Sequence, residues 1–106
     1  MKFIKNDEAR ELIETGTMEK LNEQNELGFT LLHDMIERQQ MELIQKLLAR
    51  GVNTQIKTGK GHNALEMSEA FIRFFENNFP EQKTIIHKYQ EISSMIEEHN
   101  AKLAIS

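Results

Sequence analysis

The chain has no cysteine, which removes both a disulfide framework and any thiolate metal site. It has no long apolar run, so nothing in it reads as a membrane span. The opening MKFIKNDEAR places charges too early for a signal peptide, and the expectation is a cytoplasmic protein. There is no excess of basic residues: the net charge is −4. Nucleic acid, which asks for a basic face, is therefore not expected, and a basic partner fits slightly better. A single proline and five glycines leave few places where a helix must stop. Because Glu, Gln, Lys, Met and Leu are plentiful, the composition favours helix. No stretch alternates apolar and polar residues as a strand would, and no low-complexity linker divides the chain. At 106 residues it reads as one all-α domain. Such a chain buries only about 60–70% of its unfolded surface, so its core is modest.

What is present is helical spacing that recurs. In residues 41–48 Met41, Ile44, Leu47 and Leu48 form one apolar stripe, and Gly51 stops the helix by taking the left-handed conformation. The same signature stands earlier in Ala9, Leu12, Ile13 and Gly16. Leu12 to Leu47, Ile13 to Leu48 and Gly16 to Gly51 are each 35 apart. A second marker has a shorter step: GFTLLHDM begins at Gly28 and GHNALEMS at Gly61, with Leu32 and Leu65 33 apart. Two markers at nearly one period predict repeated helical pairs rather than a simple bundle.

These segments resemble the ankyrin-repeat family. Its unit is a turn, a short helix opened by a G-x-T-P-L-H-type motif, a second helix ending in Leu-Leu, then a glycine and a long loop. The stretch from Gly28 to Asn53 matches that unit. EARELIETGTMEKLN matches the second helix and loop of a truncated earlier unit, and a degenerate third begins at Gly61. The expected architecture is a short stack of such units: a partial repeat over 1–27, the best match over 28–60, and a lengthened, divergent one over 61–106. Several positions depart from the pattern. Leu31 and Ala64 stand where the family has proline. Asn63 replaces the threonine but can still cap a helix. Glu66 replaces the histidine. Met35 and Ile36 replace alanines, so they are expected to push neighbouring helices apart or leave bulk exposed.

Beyond Leu65 the apolar stripe of Leu65, Ser68, Ile72 and Phe75 predicts a helix running towards Asn77, with Met67, Phe71 and Phe74 widening it. Asn78, Phe79 and Pro80 break it. A last helix carries Ile85, Tyr89, Ile92 and Ile96 on one face, and the pair is expected to cap the stack as a helical hairpin. The aromatics of residues 71–79 are expected in the core, with Phe79 the one left exposed.

His33 decides between chemistry and support. Thr30 sits at an N-cap position, where its hydroxyl accepts from the first turn. In the family resembled, the threonine and histidine side chains bond to each other and the imidazole ties down the neighbouring turn, which makes His33 a strut. The alternative is a small hydrolase or metal-dependent enzyme using His33 or His62 with Asp34 or Glu66, but neither spacing is that of a ligand pair on one helix face. His62 is expected exposed at a turn tip, and His87 and His99 on the surface. TGKGH, residues 58–62, lacks the spacing and the following Lys-Ser/Thr of a P-loop. No cofactor or metal is expected.

The resemblance implies binding to another protein through turn tips and the concave first-helix face. Carried over by position, the partner-binding residues are Glu26, Leu27, Phe29, Glu37 and Arg38 in the middle unit, and Gly59, Lys60, His62, Ala70 and Phe71 in the next. Apolar Leu27 and Phe29 at a tip suit an interface, although Phe29 has Met35 and Ile36 as alternative neighbours. The expectation is a non-catalytic binding module, monomeric when unbound, with a dedicated inhibitor or immunity-type protein as its specialised form.

Overall fold

The computed structural model describes residues 4–105. Six α-helices carry them: α1 (Asn6–Thr15), α2 (Met18–Leu21), α3 (Leu31–Glu37), α4 (Met41–Arg50), α5 (Ala64–Asn78) and α6 (Lys83–Ala104). Three of the six begin at a side chain that satisfies a free backbone N–H. Thr17 accepts from the Lys20 amide, Thr30 from His33 and Asn63 from Glu66, each such cap contributing about 1 kcal/mol. At α3 and α5 the bond is reciprocal, because the His33 and Glu66 side chains accept from the cap residue's own N–H. Glu66 thus fills the place of the missing histidine with the same hydrogen bond.

The helices form two rows. α3 lies against α5, while α4 packs between α1 and α6. The hairpins α3–α4 and α5–α6 tie the rows together. Their shared core runs from Ala9 and Ile13 in α1, through Met35, Ile36, Leu43, Ile44 and Leu47, to Tyr89, Ile92 and Ile96 in α6. α6 is secured to α3 by polar bonds as well. The Tyr89 hydroxyl donates to the Glu37 carbonyl at 2.9 Å, and the Gln39 side chain donates to the Ile85 carbonyl at 2.9 Å. Between α5 and α6 the buried Ser68 hydroxyl donates to the Tyr89 carbonyl at 3.0 Å and meets the Ser93 hydroxyl at 2.8 Å.

Four expectations need correction. Met35 and Ile36 do not stay exposed; both are 0% exposed. α3 is covered on several sides, and five of its seven residues are buried, so the two large side chains fill space that alanines would leave empty. Gly16 ends α1 in an extended conformation (φ −73°, ψ 154°), unlike the left-handed Gly51 (φ 83°). Its requirement is steric: a Cβ there would stand 2.5 Å from the Leu12 carbonyl oxygen. The aromatics of residues 71–79 divide. Phe71 and Phe75 are half-buried and stack on Tyr89 at 4.9 and 6.1 Å between centroids, whereas Phe74 joins Phe79 in exposure. His99 is half-buried rather than on the surface, and its Nε2 is sealed from solvent without a hydrogen bond.

Candidate functional site

Two turn tips precede α3 and α5, and they are built alike. In the first, the Asn25 N–H donates to the Phe29 carbonyl, and the Gly28 N–H donates to the Asn25 carbonyl, each at 2.9 Å. In the second, Thr58 bonds with His62 and Gly61 with Thr58 in the same pattern, again at 2.9 Å. Each tip needs one left-handed residue, supplied by Gly28 (φ 80°) and Gly61 (φ 84°), a conformation that carries little penalty for glycine alone. Short polar side chains brace each loop from within: Asn25 accepts from the Leu27 and Phe29 amides, Thr58 from those of Lys60 and His62.

The tips touch. The Gly59 N–H donates to the Leu27 carbonyl at 2.9 Å, and the Gln24 amide bridges the Gly28 and Lys57 carbonyls at 2.9 and 2.8 Å. A Cβ on Gly28 would stand 2.5 Å from the Gly59 nitrogen, so only glycine permits this approach.

Between the tips and the faces of α3 and α5 lies a groove of about 670 Å³. Of the residues that the sequence proposes, Glu26, Leu27, Phe29, Glu37, Gly59, Lys60, His62, Ala70 and Phe71 line it. Arg38 does not. Its guanidinium turns back to Asp34, 3.3 Å away, and leans on the Met35 sulfur. Thr58, Met67 and Phe74 complete the lining and were not proposed. Met67 and Phe74 share a helix face with Ala70 and Phe71 by three- and four-residue spacing, a signal that could have found them. The lining is apolar and open: Leu27 is 52% exposed and Phe74 51%. Phe29 is half-buried, its ring 5.7 Å from that of His33. His62 is half-buried in the wall rather than exposed.

His33 lies beneath this wall, 2% exposed. Its Nδ1 accepts the Thr30 N–H at 3.1 Å and lies 2.9 Å from the Thr30 hydroxyl. A ring nitrogen that accepts a backbone N–H is unprotonated, so the neutral ring carries its proton on Nε2. Burial pushes the His33 pKa below the usual histidine value, against a weaker opposite pull from the backbone of His62. The imidazole therefore closes the start of α3 through Nδ1, while its Nε2 is sealed from solvent without a hydrogen bond. Asp34, beside it, answers to Arg38: burial raises its pKa and the guanidinium draws it back down. The Glu66 carboxylate accepts the Asn63 N–H at 3.0 Å. Both carboxylates that might have assisted His33 or His62 are thus engaged in holding helices.

Two other hollows lie away from the tips. One, of about 740 Å³, lies where α5 meets α6, between Glu76, Pro80, Lys83 and His87. The other, of about 230 Å³, lies between α4 and α6. Among the described residues no three His, Cys, Asp or Glu side chains gather as a metal site, and no helix is long and apolar enough to cross a membrane. No known protein family, curated protein or solved structure matches the chain.

Proposed function

We propose that this chain is a non-catalytic protein-binding module, a short ankyrin-like stack that holds its partner in the groove between the turn tips and the first-helix faces. The observation that carries this reading is the groove itself: apolar Leu27 and Phe29 of the first tip face apolar Ala70, Phe71 and Phe74 of α5 across it, while the second tip and the end of α3 supply its polar edge. Such a surface, apolar at its centre with charges at its edge, suits a protein interface. Isolated exposed apolar residues are ordinary; a contiguous exposed patch marks an interaction site. His33, Asp34 and Glu66 each have a structural partner, which supports a non-catalytic role. In this reading the protein is monomeric and cytoplasmic until it meets its partner, and its specialised form is a dedicated inhibitor of one toxic or enzymatic protein.

The test is the double substitution Leu27→Ser with Phe29→Ser. The partner is first captured by pull-down with mass spectrometry, and its affinity is then measured for both forms alongside thermal unfolding. With both residues acting as hot spots, binding should weaken by about 2 kcal/mol or more while helical content persists. Full affinity in a folded double variant would move the binding site elsewhere. A toxin encoded beside this protein would favour the inhibitor form.

A further inference from the structure

The groove is uneven in charge along its length. At the tip end Glu26 and Lys60 each adjoin in sequence one of the two residues joined by the Leu27–Gly59 hydrogen bond, and both line the groove. They are adjacent to the two bonded residues, so their opposite charges offset one another beyond contact range. At the other end stands Glu37, the last residue of α3. Its neighbour in sequence, Arg38, would compensate it but pairs with Asp34 instead. Among the described residues no ion pair joins Glu37 to Arg73 of α5 or to another cation. The negative charge of Glu37 is felt inside the wall, where it adds to burial in raising the Tyr89 pKa. Tyr89 in turn carries the stacked ring of Phe71. The far end of the groove therefore presents an uncompensated carboxylate next to aromatic rings, a combination that receives a Lys or Arg side chain.

From this charge pattern, and resting on the protein-binding reading above, we infer that the occupant of the groove is a cationic amphipathic segment of another protein. Its apolar side chains lie over Leu27, Phe29 and Phe74, and a Lys or Arg beside them reaches Glu37. The net charge of −4 acts in the same direction by attracting a basic segment before contact. Orientation follows: the cation belongs at the Glu37 end, because at the tip end the charge of Glu26 is offset by that of Lys60.

The probe is a displayed library of short random peptides, selected on the intact protein and on two variants, Glu37→Lys and the Leu27→Ser, Phe29→Ser pair, each checked for native helical content. Selection on the unaltered protein should enrich apolar residues with a Lys or Arg at a fixed offset. Glu37→Lys should weaken those peptides by about tenfold or more, as loss of a complementary charge does, and should select Asp or Glu at the same offset. Three results would overturn the inference, and they differ in what else they remove. An enriched apolar motif with no fixed cation, or one indifferent to Glu37→Lys, removes the charge argument and leaves the groove as a docking site. Enrichment that survives the Leu27, Phe29 pair removes the groove as well. Absence of any enrichment, with concentration-dependent dimerisation by sedimentation that the same pair abolishes, makes the occupant a second copy of this chain; absence of both ends the binding reading.

Discussion

His33 shows how one side chain can serve a binding surface without touching the ligand. It closes the cap on α3 and leans against Phe29 in the groove wall, all while sealed from water. The same contacts give it a pH signature. Its folded pKa is lowered from 6.5, so the unfolded chain takes up a proton that the folded one refuses. Its contribution to stability is full above about 6.5 and is lost as the pH falls through the lowered folded value. Asp34 runs the other way at lower pH, since its raised pKa favours folding below 3.8 and loses that contribution as the pH rises through its folded value. The variant His33→Gln keeps an acceptor for the Thr30 N–H, as Glu66 does for Asn63, but cannot titrate. Its melting temperature should therefore decline less than that of the unaltered protein just below pH 6.5; an equal decline in both would place the titration elsewhere.

At the scale of elements, α6 carries more than its length suggests. Its inner face supplies Tyr89, Ile92 and Ile96 to the core and covers α4 and α5 together. Deleting residues 81–106 should leave Phe71 and Phe75 without Tyr89 and drive the remainder to aggregate, read by size-exclusion chromatography with light scattering. The milder Ile92→Ala should remain soluble and lose about 2–5 kcal/mol. A soluble truncation with a cooperative unfolding transition would show α6 to be an accessory. Helix starts such as Thr30 and Asn63 were legible in the sequence because the cap chemistry is local. So was the apolar face of α6, set by spacing alone. What escaped depends on neighbours distant in sequence. Leu43, off the expected stripe of α4, is buried because α4 is covered by helices on more than one side. Phe74 is exposed because it stands about 100° round α5 from Phe75, on the groove side that α6 does not cover. The groove residues came from matching a repeat pattern. Arg38 failed that transfer because the nearby Asp34 claims its guanidinium, a pairing the pattern does not contain.

At the scale of the molecule the core is continuous from α1 to α6, which implies a single cooperative transition rather than unit-by-unit melting. Tyr89, the sole tyrosine, reports on the packing of the last helix against α5 and the end of α3, while far-ultraviolet circular dichroism reports on every helix. The two unfolding curves should coincide; separated midpoints would mean that the last hairpin opens independently. Burial, assisted by Glu37, pushes the Tyr89 pKa from 10.0 up to about 12. Its contribution to stability is complete below pH 10 and lost as the pH rises through about 12, a change that phenolate absorbance follows directly. The matched tips carry a last consequence. Asn25, Gly28 and Phe29 occupy the same roles as Thr58, Gly61 and His62, and the backbone bond from Gly59 to Leu27 joins one tip to the next where Gly28 leaves room and Gln24 bridges them. The two tips thus share one backbone pattern. Copying residues 28–60 in tandem would supply another tip, another first-helix wall and another backbone seam, lengthening the groove by one step while its ends stay as they are.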